Sequence, residues 1–512
     1  MTSILLRRPE KVQVERLKQA FAKTMADVAR TFPETSTQQE LRKWSLALPH
    51  MLVVATALQD WLTNDDILWP STSIGMYYFK QAAYQVAQSW LEESLNATQQ
   101  RVGTVDANVV VALNNVASVY RALGDLARAK PLFVQALDII KKLRGNRHKD
   151  VSTALNNLAS LCKAEGNYKE AELFFLQSLD LRIELCGAIS PDVASSISNL
   201  ADLYQIQGKI HEAEVLNLQA LTLMTQVLQE LHPSVAITMS NLAGVYTEQL
   251  RYREAETLLR KALKVFRRSY GNYHLSVATN LNQLANLYYL QQEPKQTEAL
   301  LTESLGIMWY CLGDRHPEVA MSLGNLAALY EEQGRYREAE ALYQQALDVR
   351  IKVFGEVHLE VAITLDVLAN LYRLENRYPE AITLSTQALN IRKSVLGTEH
   401  NAVLNHLNRL ATLYVETKRY AEAEAVCREA LALRQRLQGT ATRSWSANLS
   451  NLGWLCSIQG RLDEARTFYE EALESSRQVL GDNDPDTLLT AKGLASVREQ
   501  QEKTGTADTT NQ

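Results

Sequence analysis

The sequence predicts an all-α fold, a solenoid of antiparallel helix pairs, and three observations carry that prediction. A 42-residue phrase is written nine times without insertion or deletion, the copies beginning at Val109, Val151, Val193, Val235, Val277, Val319, Val361, Val403 and Trp445. Each copy holds two stretches with apolar residues at helical spacing, separated by a glycine-type break. Small residues recur in fixed columns where two helices would cross. Units of this length bury their apolar faces only against their neighbours, so they stack in a row.

The elements follow in chain order. Val14, Leu17, Phe21, Met25 and Val28 make Lys11 to Phe32 one amphipathic helix. Pro33 and the polar run Glu34 to Gln39 end it. Leu46 to Leu62 is a second helical stretch, followed by a break at Trp69-Pro70. Tyr78, Tyr84, Ala87, Trp90, Ser94 and Leu95 fall in register with the repeat, so 73–108 reads as a degenerate first copy. Residues 1–72 are then expected to cap the open apolar end of the array. The nine full copies occupy 109–486, a closing helix 487–501, and a tail without apolar anchors, expected to be disordered, 502–512.

The copy starting at Val319 shows the logic of one unit. Leu323, Leu326, Ala327 and Tyr330 form the stripe of a first helix. Gly334 ends it, as a residue that takes positive φ at little cost. That column continues as Gly124, Gly166, Gly208, Asn376 and Gly460, while Leu250, Gln292 and Lys418 depart from it. Tyr336, Ala339, Leu342, Tyr343, Ala346, Leu347 and Ile351 make the second helix, which so short a turn forces antiparallel to the first. Ala327 and Ala339 and their equivalents let the two axes approach closely.

The Leu-Ala…Tyr…Gly-x-Tyr-x-Glu-Ala pattern resembles tetratricopeptide repeats over about residues 78 to 500. The 42-residue period with Leu-Gly-x-x-His-Pro between units looks like the kinesin light chain variety. The resemblance implies a right-handed superhelix that binds an extended peptide in its concave groove. Trp44 and Leu48-Pro49-His50-Met51-Leu52 are also similar to the junction before the repeats of NB-ARC-type signalling NTPases. A kinesin light chain would carry a long heptad region ahead of the repeats, and Val14 to Val28 is too short for one.

Composition narrows the function classes. A net charge of −5 with 22% charged residues gives no reason to expect nucleic acid as partner. No apolar run approaches the roughly 18 residues of a membrane span, and MTSILLRRPEKVQ is too briefly apolar for a secretory signal. The expectation is a cytoplasmic, non-enzymatic protein without cofactor or metal. GxxxxGK[ST], GxSxG, HExxH and GxGxxG do not occur.

Three periodic features imitate chemistry. His148, His232, His274, His316, His358 and His400 share one column, which Ser190, Thr442 and Asp484 also occupy, often with proline and then an acid following. That is the sequence of an N-cap, so each ring is expected to cap a helix as a neutral acceptor and not to hold a metal. Carboxylate pairs such as Glu254/Glu256 and Glu338/Glu340 recur in the first turn of second helices, where the helix dipole favours them. Cys162, Cys186, Cys311, Cys427 and Cys456 form no CxxC and read as core residues.

The candidate peptide contacts come from the resemblance. An amide just before Leu-Ala bonds the guest's backbone in peptide-binding members, and that position reads Asn115, Asn157, Asn199, Asn241, Gln283 and Asn325, with Val367 and Arg409 breaking the row. Neighbouring positions add Asn114, Asn156 and Asn282. Amides both donate and accept, which suits an extended backbone of varying sequence; equally, they could bridge adjacent helices and bind nothing. Arg121 and Lys163 would favour acidic residues or a chain-terminal carboxylate at that end. Arg182, Arg350, Arg392 and Arg434 form a further column, either facing groove or ligand or solvated at the helix end. Two functions fit: an adaptor binding an extended protein segment, or a regulatory or sensing subunit working with a separately encoded NTPase or effector enzyme.

Overall fold

The computed structural model describes residues 11–32, 41, 42, 44–439 and 442–509, and among them it holds 23 α-helices and no strand. Two compact units divide the chain, Met1–Leu329 and Tyr330–Gln512. The first begins with α1 (Lys11–Arg30), α2 (Leu48–Ala57), a 3-10 turn at Gln59–Trp61, α3 (Trp69–Lys80) and α4 (Tyr84–Val102). The pairs α5 (Ala107–Ala122) and α6 (Leu126–Arg144), α7 (Lys149–Ala164) and α8 (Tyr168–Cys186), α9 (Pro191–Ile206) and α10 (Ile210–Leu228) follow. Next come α11 (Pro233–Glu248) and α12 (Tyr252–Tyr270), α13 (Leu275–Leu290) and α14 (Pro294–Leu312). The units divide within α15 (Pro317–Glu332). The second unit continues with α16 (Tyr336–Phe354), α17 (Leu359–Leu374), α18 (Tyr378–Leu396), α19 (Asn401–Glu416) and α20 (Tyr420–Gln438). It ends with α21 (Arg443–Ile458), α22 (Leu462–Leu480) and α23 (Pro485–Thr509).

The fold is the all-α solenoid that the repeat predicts. The small column is buried, with Ala159, Ala201, Ala243 and Ala285 at 0% exposure, so the two helices of a pair cross on small side chains. At Gly453 even a methyl is excluded, because a Cβ there would stand 2.9 Å from the Tyr469 ring. Large residues close the gap around these crossings: Leu242, Tyr246, Leu259, Leu284 and Leu287 form one continuous cluster through two repeats.

The histidine column caps helices. Nδ1 of His148, His232, His274, His316, His358 and His400 accepts the backbone N–H two residues on, at 3.0 to 3.2 Å. Only an unprotonated nitrogen can accept, so these rings cap in the neutral form. Ser190 and Thr442 cap from the same column, their hydroxyls accepting the N–H three residues on.

The recurring acids take part in a clasp that the sequence pattern does not reveal. At the start of α12, α16, α18 and α20 an arginine pairs with the first acid, as Arg335 with Glu338 at 2.6 Å, and lies over the last tyrosine of the preceding helix, 3.7 Å from the Tyr330 centroid in that repeat. The second acid serves the next repeat. Glu340 accepts from Tyr372 Oη at 2.7 Å and from Arg377 at 3.1 Å. Glu256 accepts from Tyr288 Oη at 2.6 Å in the same way.

Boundaries differ from expectation in three places. Trp69-Pro70 opens α3 instead of breaking the chain, since proline is tolerated in a first helical turn. The second stretch shortens to Leu48–Ala57 plus the 3-10 turn. The last helix continues past Gln501 to Thr509, where a disordered tail was expected. Residues 510–512 of that tail, and the break at Pro33 to Gln39, lie outside the described residues. Ala29, Met51, Ala55 and Ile74 pack α1 and α2 against α3, and Arg30 reaches the buried Asp66 carboxylate at 2.7 Å.

Candidate peptide-binding face

Within each unit the first helices of successive repeats abut. Asn199 Nδ2 donates to Asn156 Oδ1 at 2.8 Å, joining α9 to α7. Asn280 Nδ2 donates to Ser240 Oγ at 3.0 Å, joining α13 to α11. The charged row one turn further pairs across the same gap: Lys163 with Asp202, Gln205 with Glu248 at 2.5 Å, and Arg373 with Glu416 at 3.3 Å. Lys163 is therefore already paired with an acid of this chain. Arg121 is exposed.

The amides divide into kinds. Asn156 and Asn199 are a strut. Asn115, Asn157 and Asn241 are half-buried, and Asn325 is exposed. Asn114 Oδ1, Asn282 Oδ1 and Gln283 Oε1 are shielded from solvent and accept no hydrogen bond. Burying an acceptor without a donor costs about 1–3 kcal/mol, which a guest N–H would recover. Asn282, Gln283 and Asn325 line a single cavity of about 500 Å³, with Met308 and Met321 on its apolar side. Asn114 lines another of about 280 Å³ beside Arg144 and Asp150. The remaining candidates are not gathered into either.

The arginine column is engaged within the chain. Arg182 donates to Ser196 Oγ at 2.8 Å and to the Asp192 carbonyl at 3.0 Å, fastening each repeat to the next; burial lowers its pKa, with Asp192 opposing. Arg350 meets Thr364, at the same offset along the chain, and Arg434 is 6% exposed. Two clusters have the spacing of a metal site, Cys162 with Glu165 and Glu170, and Glu424 with Cys456 and Glu464. Cations of the chain fill both: Lys130 Nζ stands 3.0 and 2.9 Å from the first pair of acids, and Arg461 and Arg428 meet the second. Burial pushes the Cys162 thiol up to about 11, so it is a poor ligand.

The tetratricopeptide repeat profile matches residues 108–184, 192–266, 235–308, 318–394, 360–436, 402–474 and 445–510. The chain belongs to the tetratricopeptide repeat family. No curated protein matches the sequence. Among solved structures, BtubC (BKLC) from P. vanneervenii is 25% identical over 46% of this chain and 92% of its own, with a TM-score of 0.37. A Podosopora anserina protein with nearly identical TPR-like repeats of the kinesin light chain kind is 25% identical over 40% and 98%, also at 0.37. PH0952 from Pyrococcus horikoshii, a signal transduction ATPase with numerous domains and a tetratricopeptide repeat sensor, is 17% identical over 89% and 72%, at 0.50. The matching profile describes the repeat and indicates no catalytic family, and no described helix is long and apolar enough to cross a membrane.

Proposed function

We propose that the protein is a non-enzymatic adaptor that binds an extended protein segment along the face formed by its first helices. Tetratricopeptide repeats generally serve as interaction surfaces, and one observation supports this use of the face here. Asn282 and Gln283 hold two solvent-shielded, unpaired amide oxygens at one cavity of about 500 Å³. An extended backbone supplies N–H donors at regular intervals, whatever its side chains, and would relieve both.

Affinity capture with the full chain and with an Asn282→Ala, Gln283→Ala double variant tests the reading. Proteins held by the first should be lost from the second, about ten-fold or more, at an unchanged melting temperature, since about 1.4 kcal/mol is ten-fold. An unchanged set of captured proteins would remove this face from consideration.

A further inference from the structure

The second helices α6, α8 and α10 share an outer band that the other repeats lack. One column of it reads Val134, Leu176 and Leu218, all exposed, and continues as Arg260, Thr302 and Gln344. One turn earlier stand the exposed Pro131, Leu173 and Val215, where Thr257, Ala299 and Ala341 follow. Leu173, in the middle of the band, is 59% exposed. Beside these columns Gln135, Gln177 and Gln219 are uncharged, and Lys261 and Glu303 take their place further on. Two open cavities border the band: Val215, Leu218 and Leu223 with Ile197 line about 540 Å³, and Pro131 and Val134 line about 550 Å³. A single exposed leucine is ordinary, but a contiguous apolar band rimmed by polar residues marks a contact surface.

The ends of the band identify what covers it. In α8 the order is Lys169, Leu173, Leu176, Asp180, at steps of four, three and four residues, which sets all four on one side of the helix. Lys169 and Asp180 are both exposed. Read backwards, the order is its own complement: acid, apolar, apolar, base. A second α8 laid antiparallel on the first, about a two-fold axis in the contact plane and perpendicular to the helices, sets Leu173 against the second copy's Leu176. The same operation sets Lys169 against the second copy's Asp180, and does so twice. It also lays α6 on its own copy and α10 on its own, where Asp138 comes opposite Ala127 and His211 opposite Thr222, so no like charges meet. A parallel arrangement would stack Asp180 on Asp180 and Lys169 on Lys169.

We propose that this band seats a second copy of the chain, packed two-fold symmetrically with α8 antiparallel on α8. The apolar side chains supply the affinity, since exposed ion pairs contribute little. The two Lys169 to Asp180 pairs fix the direction and register, because the alternative brings like charges together. The contact uses second helices only, so it neither needs nor tests the peptide-binding reading of the first helices.

Sedimentation velocity on the full chain tests it. The parent should dimerise in the micromolar range, and Leu173→Asp should be monomeric there with an unchanged melting temperature. Lys169→Glu and Asp180→Lys should each weaken the dimer by about ten-fold or more, since each sets like charges together twice. Mixed in equal amounts, these two variants should dimerise again, because each then supplies the charge that the other lacks. The double variant carrying both changes should also dimerise. These charge changes lie on exposed residues, so the readout stands whatever Leu173→Asp does to folding. A parent that stays monomeric throughout the range would overturn the proposal and leave the band to a different protein. A dimer untouched by Leu173→Asp would overturn it too, since its contact would lie elsewhere. A mixture of the two charge variants that stays monomeric would overturn the antiparallel register.

Discussion

Asn199 donates through Nδ2 to Oδ1 of Asn156 at 2.8 Å, so two members of the amide row spend their polar groups on each other. Asn241, one period further on, stands in the same column as Asn199 without that bond. Replacing Asn199 by Ala should therefore cost about 1 kcal/mol of stability, and Asn241→Ala within about 0.5 kcal/mol of nothing. Urea unfolding of the two variants checks this. Equal costs would mean that the column has one role throughout.

Acid should act on His316 in a defined direction. Burial, with added repulsion from Lys80, holds its imidazole down at about 4, against about 6.5 for a free histidine. A folded-state pKa below the unfolded one contributes stability that is present above about pH 6.5 and lost as pH falls through about 4. Glu318, pushed up by burial, works the other way. The readout is thus the difference between the parent and His316→Asn, which caps without titrating. The parent should lose stability relative to the variant between pH 7 and pH 4.5, followed by urea midpoints. A constant difference would refute the neutral cap at this position.

Leu250 sits at φ 62° with 69% of its surface exposed, in the turn where other repeats place glycine. A side chain costs about 1–2 kcal/mol in this region of backbone space. Leu250→Gly should raise stability by about 1 kcal/mol after the extra entropy that glycine loses on folding. Calorimetry should show a higher melting temperature, whereas a fall would mean that the leucine makes contacts worth more than the strain.

The thiols should separate by reactivity. Burial pushes Cys162, Cys311 and Cys427 up to about 11 and also raises Cys456. Cys186 is exposed. A disulfide reagent at pH 8 should titrate one thiol in the native protein and five after unfolding. Rapid modification of more than one before unfolding would contradict the packing described.

What could be read in advance followed from whether a feature repeats. The helix pairs and the buried alanines recur through all or nearly all of the nine copies and the histidine caps in six, so substitution within a column exposes their role: Ser190 and Thr442 in place of histidine could only mean a cap. Pairings between columns left less trace. Asn199 and Asn156 are a bonded pair because two rotamers turn toward each other, and nothing in a row of asparagines distinguishes that from two amides facing a guest. Asp366 of α17 is paired with Arg392 of α18 and Arg409 of α19, a grouping across three helices that no single column of the repeat contains. The break in the amide row at Val367 and Arg409 was visible in the sequence.

The bonds between repeats reach about one period along the chain, 43 residues from Asn156 to Asn199 and again from Arg373 to Glu416. On a ribosome, each pair of helices therefore has its docking partner already made and need only wait for one more period of chain to emerge. Contacts of such short reach favour rapid folding, and assembly can advance from the N-terminal end at the pace of synthesis. Interrupting translation between repeats would leave a shorter array with the finished part intact, not a chain that must begin again.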